Sequence, residues 1–153
     1  MSALGIVYGC IIGSGPVLHK RTQEFHLHNK NTIEALPEKV NRESGLLLIR
    51  GMFTVPMYDD SGSFYRVQVI HFGGSFNHLD VYWARWLQQF EQLLQKMYWH
   101  EALAHTDLDL WGKHNYHWRA DLAPMFLETP QPIQTWQFEG GERIFPESLP
   151  PLP

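Results

Sequence analysis

Runs of apolar and β-branched residues predict strands over much of the N-terminal half of the chain. Residues 5–12 (GIVYGCII) are apolar and β-branched and end in the turn former GSGP, which predicts a strand followed by a turn. Alternation of polarity at 24–28 (EFHLH) predicts a second strand. Residues 46–56 and 63–73 flank a turn-rich segment and predict an antiparallel hairpin. In the second of these runs, Gln68 is expected on the solvent side.

The clearest pattern is the helical spacing of apolar residues after residue 76. GGS at 73–75 predicts the end of the preceding strand, and Asn77 can cap the helix that follows. No proline or glycine interrupts residues 76–105, so we predict a helix over about 77–104. One stripe of this helix is apolar and is expected to cover a sheet. Its members are Leu79, Trp83, Trp86, Leu87, Phe90, Leu93, Leu94, Met97 and Tyr98.

The pattern is less regular after Thr106. Short helical pieces are predicted around Gly112, and a small hairpin is predicted from 135–138 and 143–145. The Pro-rich end at 147–153 favours an extended tail. Taken together, the elements predict one α+β domain over residues 1–146. It is a mostly antiparallel sheet of four to six strands, with the long helix packed across one face.

Composition narrows the classes of protein that fit. The chain has 153 residues, of which 44% are hydrophobic and 14% aromatic, so it can bury a substantial core and disorder is not expected. A net charge of −4 with twelve Lys and Arg disfavours nucleic acid as a partner, because phosphate binding needs a concentrated basic surface. We expect a soluble cytoplasmic protein. The apolar run at the N-terminus lacks the charge of a signal peptide, and no segment has the roughly 20 apolar residues of a membrane span.

The segment KMYWHEALAH at 96–105 is close to a metalloprotease signature, but its histidines are five residues apart. On a helix, His100 and His105 would point about 140° apart, so they could not bind one zinc ion together. Glu101 would then lie on the apolar stripe, with His105 one turn further on. Three interpretations are open: a solvated Glu101 beyond the end of the helix, a buried Glu101–His105 pair, or a functional carboxylate.

A divalent-metal site is one hypothesis for the segment 101–117, which is dense in imidazole and carboxylate groups suited to zinc, manganese or iron. The candidate ligands are His105, Asp107, Asp109, His114 and His117. The simpler interpretation is that the two aspartates cap the next helical turn or belong to a solvated segment. No other cofactor is indicated. Cys10, the only cysteine, rules out an intramolecular disulfide and is expected to be a small buried apolar side chain.

Aromatic residues after the predicted helix suggest a recognition surface. Trp111, Tyr116 and Trp118 are candidate anchors for a protein partner, because large aromatic side chains with a polar edge give much contact energy. Asp107 and Asp109 would form an acidic rim facing a basic partner. The alternative is that these aromatic residues fill the edge of the core.

No catalytic signature stands out, so the leading hypothesis is a non-catalytic protein-binding module. A bacterial immunity-type inhibitor of a toxin has this general character, although this is an analogy of type and not a motif match. The alternatives are a small metal-dependent enzyme that uses residues 101–117, and an aromatic-lined binder of a small molecule. The sequence leaves the partner and the oligomeric state open.

Overall fold

The computed structural model describes residues 4–13, 20–40, 45–57, 67–109, 112–121 and 131–140. In these ranges the chain forms six strands and two α-helices, with a short 3-10 helix at Arg50–Met52. Their order is β1 (Leu4–Gly13), α1 (Lys20–Glu34), β2 (Phe53–Thr54), β3 (Val69–Asn77), α2 (Leu79–Leu94), β4 (Trp99–Leu108), β5 (Gly112–Ala120) and β6 (Trp136–Glu139). No helix in the described ranges is both long enough and apolar enough to cross a membrane.

The six strands form one antiparallel sheet in the order β2-β3-β1-β4-β5-β6. β1 lies inside the sheet, paired along almost its whole length with β3 on one side and β4 on the other. Both helices lie on the same face. α2 covers the middle of it, and α1 packs beside the end of α2, where the Phe25 ring stacks on Tyr98 at 4.2 Å. The predicted α+β class, with a mostly antiparallel sheet and a helix across one face, is therefore confirmed.

The core lies between α2 and the sheet, as the apolar stripe predicts. Trp86, Phe90 and Leu94 are completely buried. The ring centroid of Phe90 lies 5.0 Å from that of Phe72 on β3 and 5.0 Å from that of Trp118 on β5, so a single side chain contacts residues from two non-adjacent strands. The remaining buried positions of the stripe are Leu79, Leu87, Leu93 and Met97.

The predicted end of the long helix near residue 104 is wrong. α2 ends at Leu94, and Trp99–Leu108 forms β4. Helical and strand periods overlap in this segment, and no glycine or proline separates them. Pairing with β1 determines the outcome, because it places Ala102 and Ala104 against the core. A helix-forming sequence thus becomes a strand through tertiary contacts.

Two further boundaries near the helices differ from expectation. Residues 24–28 lie within α1, whose buried positions Thr22, Phe25, Asn29 and Ile33 have helical spacing; a short alternating stretch had suggested a strand. Residues 73–75 do not end β3, which continues to Asn77 before α2 starts after His78.

The hairpin predicted from 46–56 and 63–73 is present only in part. β2 and β3 pair at Phe53 with Phe72 and at Thr54 with His71, while residues 58–66 lie outside the described ranges. Gln68 is completely buried, not exposed to solvent. Its side chain accepts a hydrogen bond from Asn29 Nδ2 and donates to the backbone oxygens of His26 and Pro56.

The C-terminal part is more β-rich than predicted. Residues 112–120 form β5 instead of helical pieces. β6 pairs with β5, with Trp118 opposite Phe138, and the other predicted hairpin strand at 143–145 lies outside the described residues. The tail at 147–153 lies outside them as well.

Candidate functional site

One face of the sheet carries the helices. In the described ranges neither helix packs on the other face, whose side chains are exposed or half-buried. Along β1 the side chains alternate between the two. Val7 and Ile11 point into the core and are completely buried, whereas Leu4, Ile6 and Tyr8 are 47%, 42% and 53% exposed. We call the uncovered side the open face. It comprises Leu4, Ile6, Tyr8, Cys10, Ile12, Val69, His71, Gly73, Ser75, Glu101, Leu103, His105, Asp107, Lys113, Asn115, His117 and Arg119.

The centre of the open face is an apolar stripe formed by Leu4, Ile6 and Tyr8. Its two flanks differ in height. On the β3 side, Gly73 lies opposite Tyr8 and Ser75 opposite Ile6, so this flank is low at these two positions, between the larger His71 and Asn77. On the β4 side, the same residues lie opposite His105 and Asp107, so the stripe is bordered there by larger polar side chains.

Polar side chains of β4 and β5 are paired across the open face. His105 contacts Asn115 Oδ1 through Nδ1 at 2.5 Å, and its ring packs on Tyr8 with centroids 5.2 Å apart. His117 Nε2 contacts Glu101 Oε1 at 2.5 Å. Each imidazole is thus held by an oxygen acceptor on the neighbouring strand, which fixes its orientation. These pairs form an ordered polar border beside the apolar stripe.

Glu101 is paired with His117 and not with His105. Glu101 and His105 lie on the same side of β4, four residues apart, which separates them by about 13 Å along an extended strand. The buried Glu101–His105 pair, one of the three interpretations of the sequence, depended on a helix at this point. In the strand, residue 101 instead faces β5, and His117 is the imidazole within reach.

The candidate metal ligands do not converge. His105, Asp107 and His117 point to the open face, whereas His114 belongs to the core side of β5, because residues three apart on a strand face opposite ways. Asp109 accepts a hydrogen bond from the backbone N–H of Leu4 at 2.7 Å. Among the described residues, no group of three or more His, Cys, Asp or Glu side chains could hold a metal ion.

Two of the three predicted aromatic anchors are core residues. Trp118 is completely buried and Tyr116 is 4% exposed, and the indole N–H of Trp118 donates to Glu91 Oε2 at 3.1 Å. Neither can act as an exposed anchor, because both point towards α2. Trp111 lies outside the described residues. Asp107 is exposed on the open face, and Asp109 is exposed just beyond the end of β4.

The exposed apolar stripe was not anticipated from the sequence, because a continuous apolar run is typical of a strand buried on both faces. A signal for it does exist. Gly5 and Gly9 alternate with the stripe, and a Cβ on Gly9 would lie 1.9 Å from the Leu103 carbonyl oxygen. Glycines at every fourth position mark the tightly packed face of β1, and therefore assign the larger side chains between them to the opposite face.

Cys10 lies on the open face rather than in the core. It is half-buried, and its register neighbours are His71 of β3 and Leu103 of β4. Burial and the nearby Glu101 carboxylate both raise the pKa of the thiol. The side chain is therefore a neutral thiol near neutral pH, with low nucleophilicity.

A separate groove of about 450 Å³ lies where the ends of α1 and α2 meet. It is lined by His28, Asn31, Thr32, Ala35, Leu36, Leu93 and Lys96. Phe, Tyr and Trp are absent from this lining, so the groove is not the aromatic-lined small-molecule site considered from the sequence.

The chain matches no family model, curated protein or solved structure among those with which it was compared.

Proposed function

We propose that this chain is a non-catalytic protein-binding module and that it recognises its partner through the open face. The observation that carries the proposal is the exposure of Leu4, Ile6 and Tyr8 in a row on an inner strand. Burying apolar surface contributes about 25 cal/mol per Å². A contiguous apolar patch with a polar border is typical of a surface that binds another macromolecule.

The arrangement of side chains follows the anatomy of protein interfaces. An apolar centre with an aromatic ring lies inside a border of charged and hydrogen-bonding groups, here Glu101, His105, Asp107 and Arg119. The surface is a sheet and not a concave pocket, whereas small molecules are usually enclosed by the walls of a cleft. A protein surface is therefore the ligand that fits this face best.

Charge favours a partner with a basic border. Asp107 lies beside Ile6 on the open face, and Asp109 is anchored near Leu4. Lys113 lies opposite Asp107 on β5, so this end of the apolar stripe carries two carboxylates and one ammonium group. The excess of negative charge would speed the approach of a positively charged protein. A cytoplasmic inhibitor of the immunity type, which binds a basic toxin, is the specific role that we propose.

The proposal can be tested by immobilising the protein and capturing partners from a native lysate. The wild type is compared with a variant that carries one substitution on the open face. Tyr8→Thr removes the aromatic ring of the stripe and introduces a β-branched side chain, which is well suited to a strand. We expect the wild type to retain a partner that Tyr8→Thr loses. A hot-spot aromatic residue contributes roughly 2 kcal/mol or more, so the fraction retained should fall by an order of magnitude or more.

Val81→Thr is the matched control. Val81 is 53% exposed, as Tyr8 is, but it lies on α2 and not on the open face. Any partner retained equally by wild type, Val81→Thr and Tyr8→Thr does not use the open face. If every captured protein behaved in that way, the proposal would fail.

A further inference from the structure

The dimensions of the open face suit another sheet. β3, β1, β4 and β5 contribute nine, ten, ten and nine residues. At the usual strand spacing and rise, these four strands cover roughly 19 by 30 Å, or about 600 Å². Stable protein interfaces bury about 800 Å² of accessible surface on each partner. A sheet-on-sheet contact over this face therefore approaches the size of a stable interface.

The side chains beside the stripe differ in size on its two sides, so two copies of the open face can fit together. The low flank of the stripe is formed by Gly73 and Ser75 on β3, and the high flank by His105 and Asp107 on β4. A two-fold axis running along β1 exchanges the flanks, so the high flank of each copy would rest on the low flank of the other. Interlocking of this kind is the basis of face-to-face sheet packing.

We infer that a second copy of this chain occupies the open face, with the two-fold axis parallel to β1. The inference rests on the proposed function, because it names the occupant of the same surface when no other partner is bound. The stripes of the two copies pack against each other, and a heterologous partner competes for the same residues.

Charge distribution agrees with this axis. β4 of one copy lies over β3 of the other, so Asp107 faces Ser75 of the second copy, whose hydroxyl can donate to it. The two Asp107 carboxylates lie on opposite sides of the axis. An axis perpendicular to the strands and level with Ile6 would instead place β4 on β4, with Asp107 over Asp107 and Lys113 over Lys113, which costs free energy.

Cys10 provides a direct measure of the arrangement, because it lies on β1 and is the only cysteine. An axis along β1 places the two Cys10 side chains opposite each other across sheets about 10 Å apart. That backbone separation is too long for a disulfide, whose Cα atoms lie within about 7 Å. The two side chains point towards each other, so their sulfur atoms lie closer together than the backbones and within the span of a short bismaleimide. A perpendicular axis through Ile6 would separate the thiols by roughly 25 Å or more.

The experiment has two parts, both on the complete chain. Sedimentation velocity from low to high micromolar concentration should give a dimer for wild type and for Val81→Thr. The double variant Ile6→Thr/Tyr8→Thr shortens two apolar side chains that the dimer would bury in each copy. It should raise the dissociation constant of the dimer by roughly 100-fold. The bismaleimide, applied at alkaline pH to ionise the thiol, should link wild type into covalent dimers and should leave Cys10→Ser unlinked.

Three results would overturn the inference. They are a wild type that stays monomeric throughout, a dimer unaffected by Ile6→Thr/Tyr8→Thr, and a dimer that the short bismaleimide does not link. The proposed function is tested separately. If the wild type is monomeric but captures a lysate partner that Tyr8→Thr loses, the proposed function stands and the inferred dimer does not. If the wild type forms the dimer but captures no such partner, the dimer stands and the proposed function does not.

Discussion

At the scale of single residues, His26 is unusual because it is a titratable side chain buried in the described part of the fold. It lies on α1, is 3% exposed, and its Nε2 atom has no hydrogen-bond partner. Burial lowers the pKa of His26 from 6.5 to about 4. The folded chain therefore holds a neutral imidazole that the unfolded chain protonates readily.

The lowered pKa predicts how stability depends on pH. The contribution of His26 is fully present above pH 6.5 and is lost as pH falls towards 4, because the unfolded state binds the proton first. A shift of this size corresponds to about 3 kcal/mol. Urea unfolding at several pH values should show a smaller fall in the free energy of unfolding for His26→Gln than for wild type. Parallel pH profiles for the two proteins would contradict this expectation.

Two glycines of the sheet, Gly9 and Gly73, should tolerate an added methyl group very differently. A Cβ on Gly9 would lie 1.9 Å from the Leu103 carbonyl oxygen and 2.9 Å from the Ala104 Cα, so Gly9→Ala should push β1 away from β4. We expect a loss of roughly 3 kcal/mol or more in denaturant titrations. On Gly73 the nearest atom would be Tyr8 Cβ at 3.6 Å, and Gly73→Ala should change stability by less than about 0.5 kcal/mol. Equal effects would show that the register between β1 and β4 is wrong.

At the scale of elements, α2 was the most predictable part because its apolar period extends over several turns. Its stripe is buried as expected, except that Trp83 and Tyr98 are only partly buried. Glu91 of α2 is buried as well, and Trp118 of β5 donates a hydrogen bond to its carboxylate. β4 could not be separated from the helix, since its pairing with β1 joins segments that are distant in sequence.

Phe90 tests the packing of α2. Its ring contacts Trp86, Phe72 and Trp118 within about 5.0 Å, so Phe90→Ala should leave a cavity between the helix and the sheet. Substitutions of this type cost about 3–5 kcal/mol, measured by chemical denaturation. Gln88→Ala, at an exposed position of the same helix, should stay within about 0.5 kcal/mol of wild type. A small loss for Phe90→Ala would mean that α2 is not packed on the sheet.

The candidate site was less predictable than the fold for a related reason. The secondary structure of residues 99–120 decides which side chains share a face. In a strand His105, Asp107 and His117 lie on one face, whereas a helix would group different residues. Tyr116 and Trp118 carry no mark in the sequence that separates a core aromatic residue from an exposed one. Their burial follows only from the pairing of β5 with β4 and β6.

At the scale of the whole molecule, the sheet divides the protein into a helix-covered side and an open side. α2 and the sheet bury a core that extends from Phe53 on β2 to Trp118 on β5. The same strands present the stripe of Leu4, Ile6 and Tyr8 to solvent. The core that stabilises the fold therefore lies on one side of β1, and the surface proposed for recognition lies on the other side.

The same substitution at two positions of β1 tests this division most directly. Ile6 is 42% exposed on the open face and Ile11 is completely buried, so Ile6→Thr and Ile11→Thr differ only in the face they change. The measurement is the free energy of unfolding together with the amount of partner captured below the melting temperature. Ile6→Thr should unfold within about 1 kcal/mol of wild type and lose capture, while Ile11→Thr should lose roughly 2–5 kcal/mol of stability and retain capture when folded. Loss of stability in Ile6→Thr with undiminished capture would contradict the account.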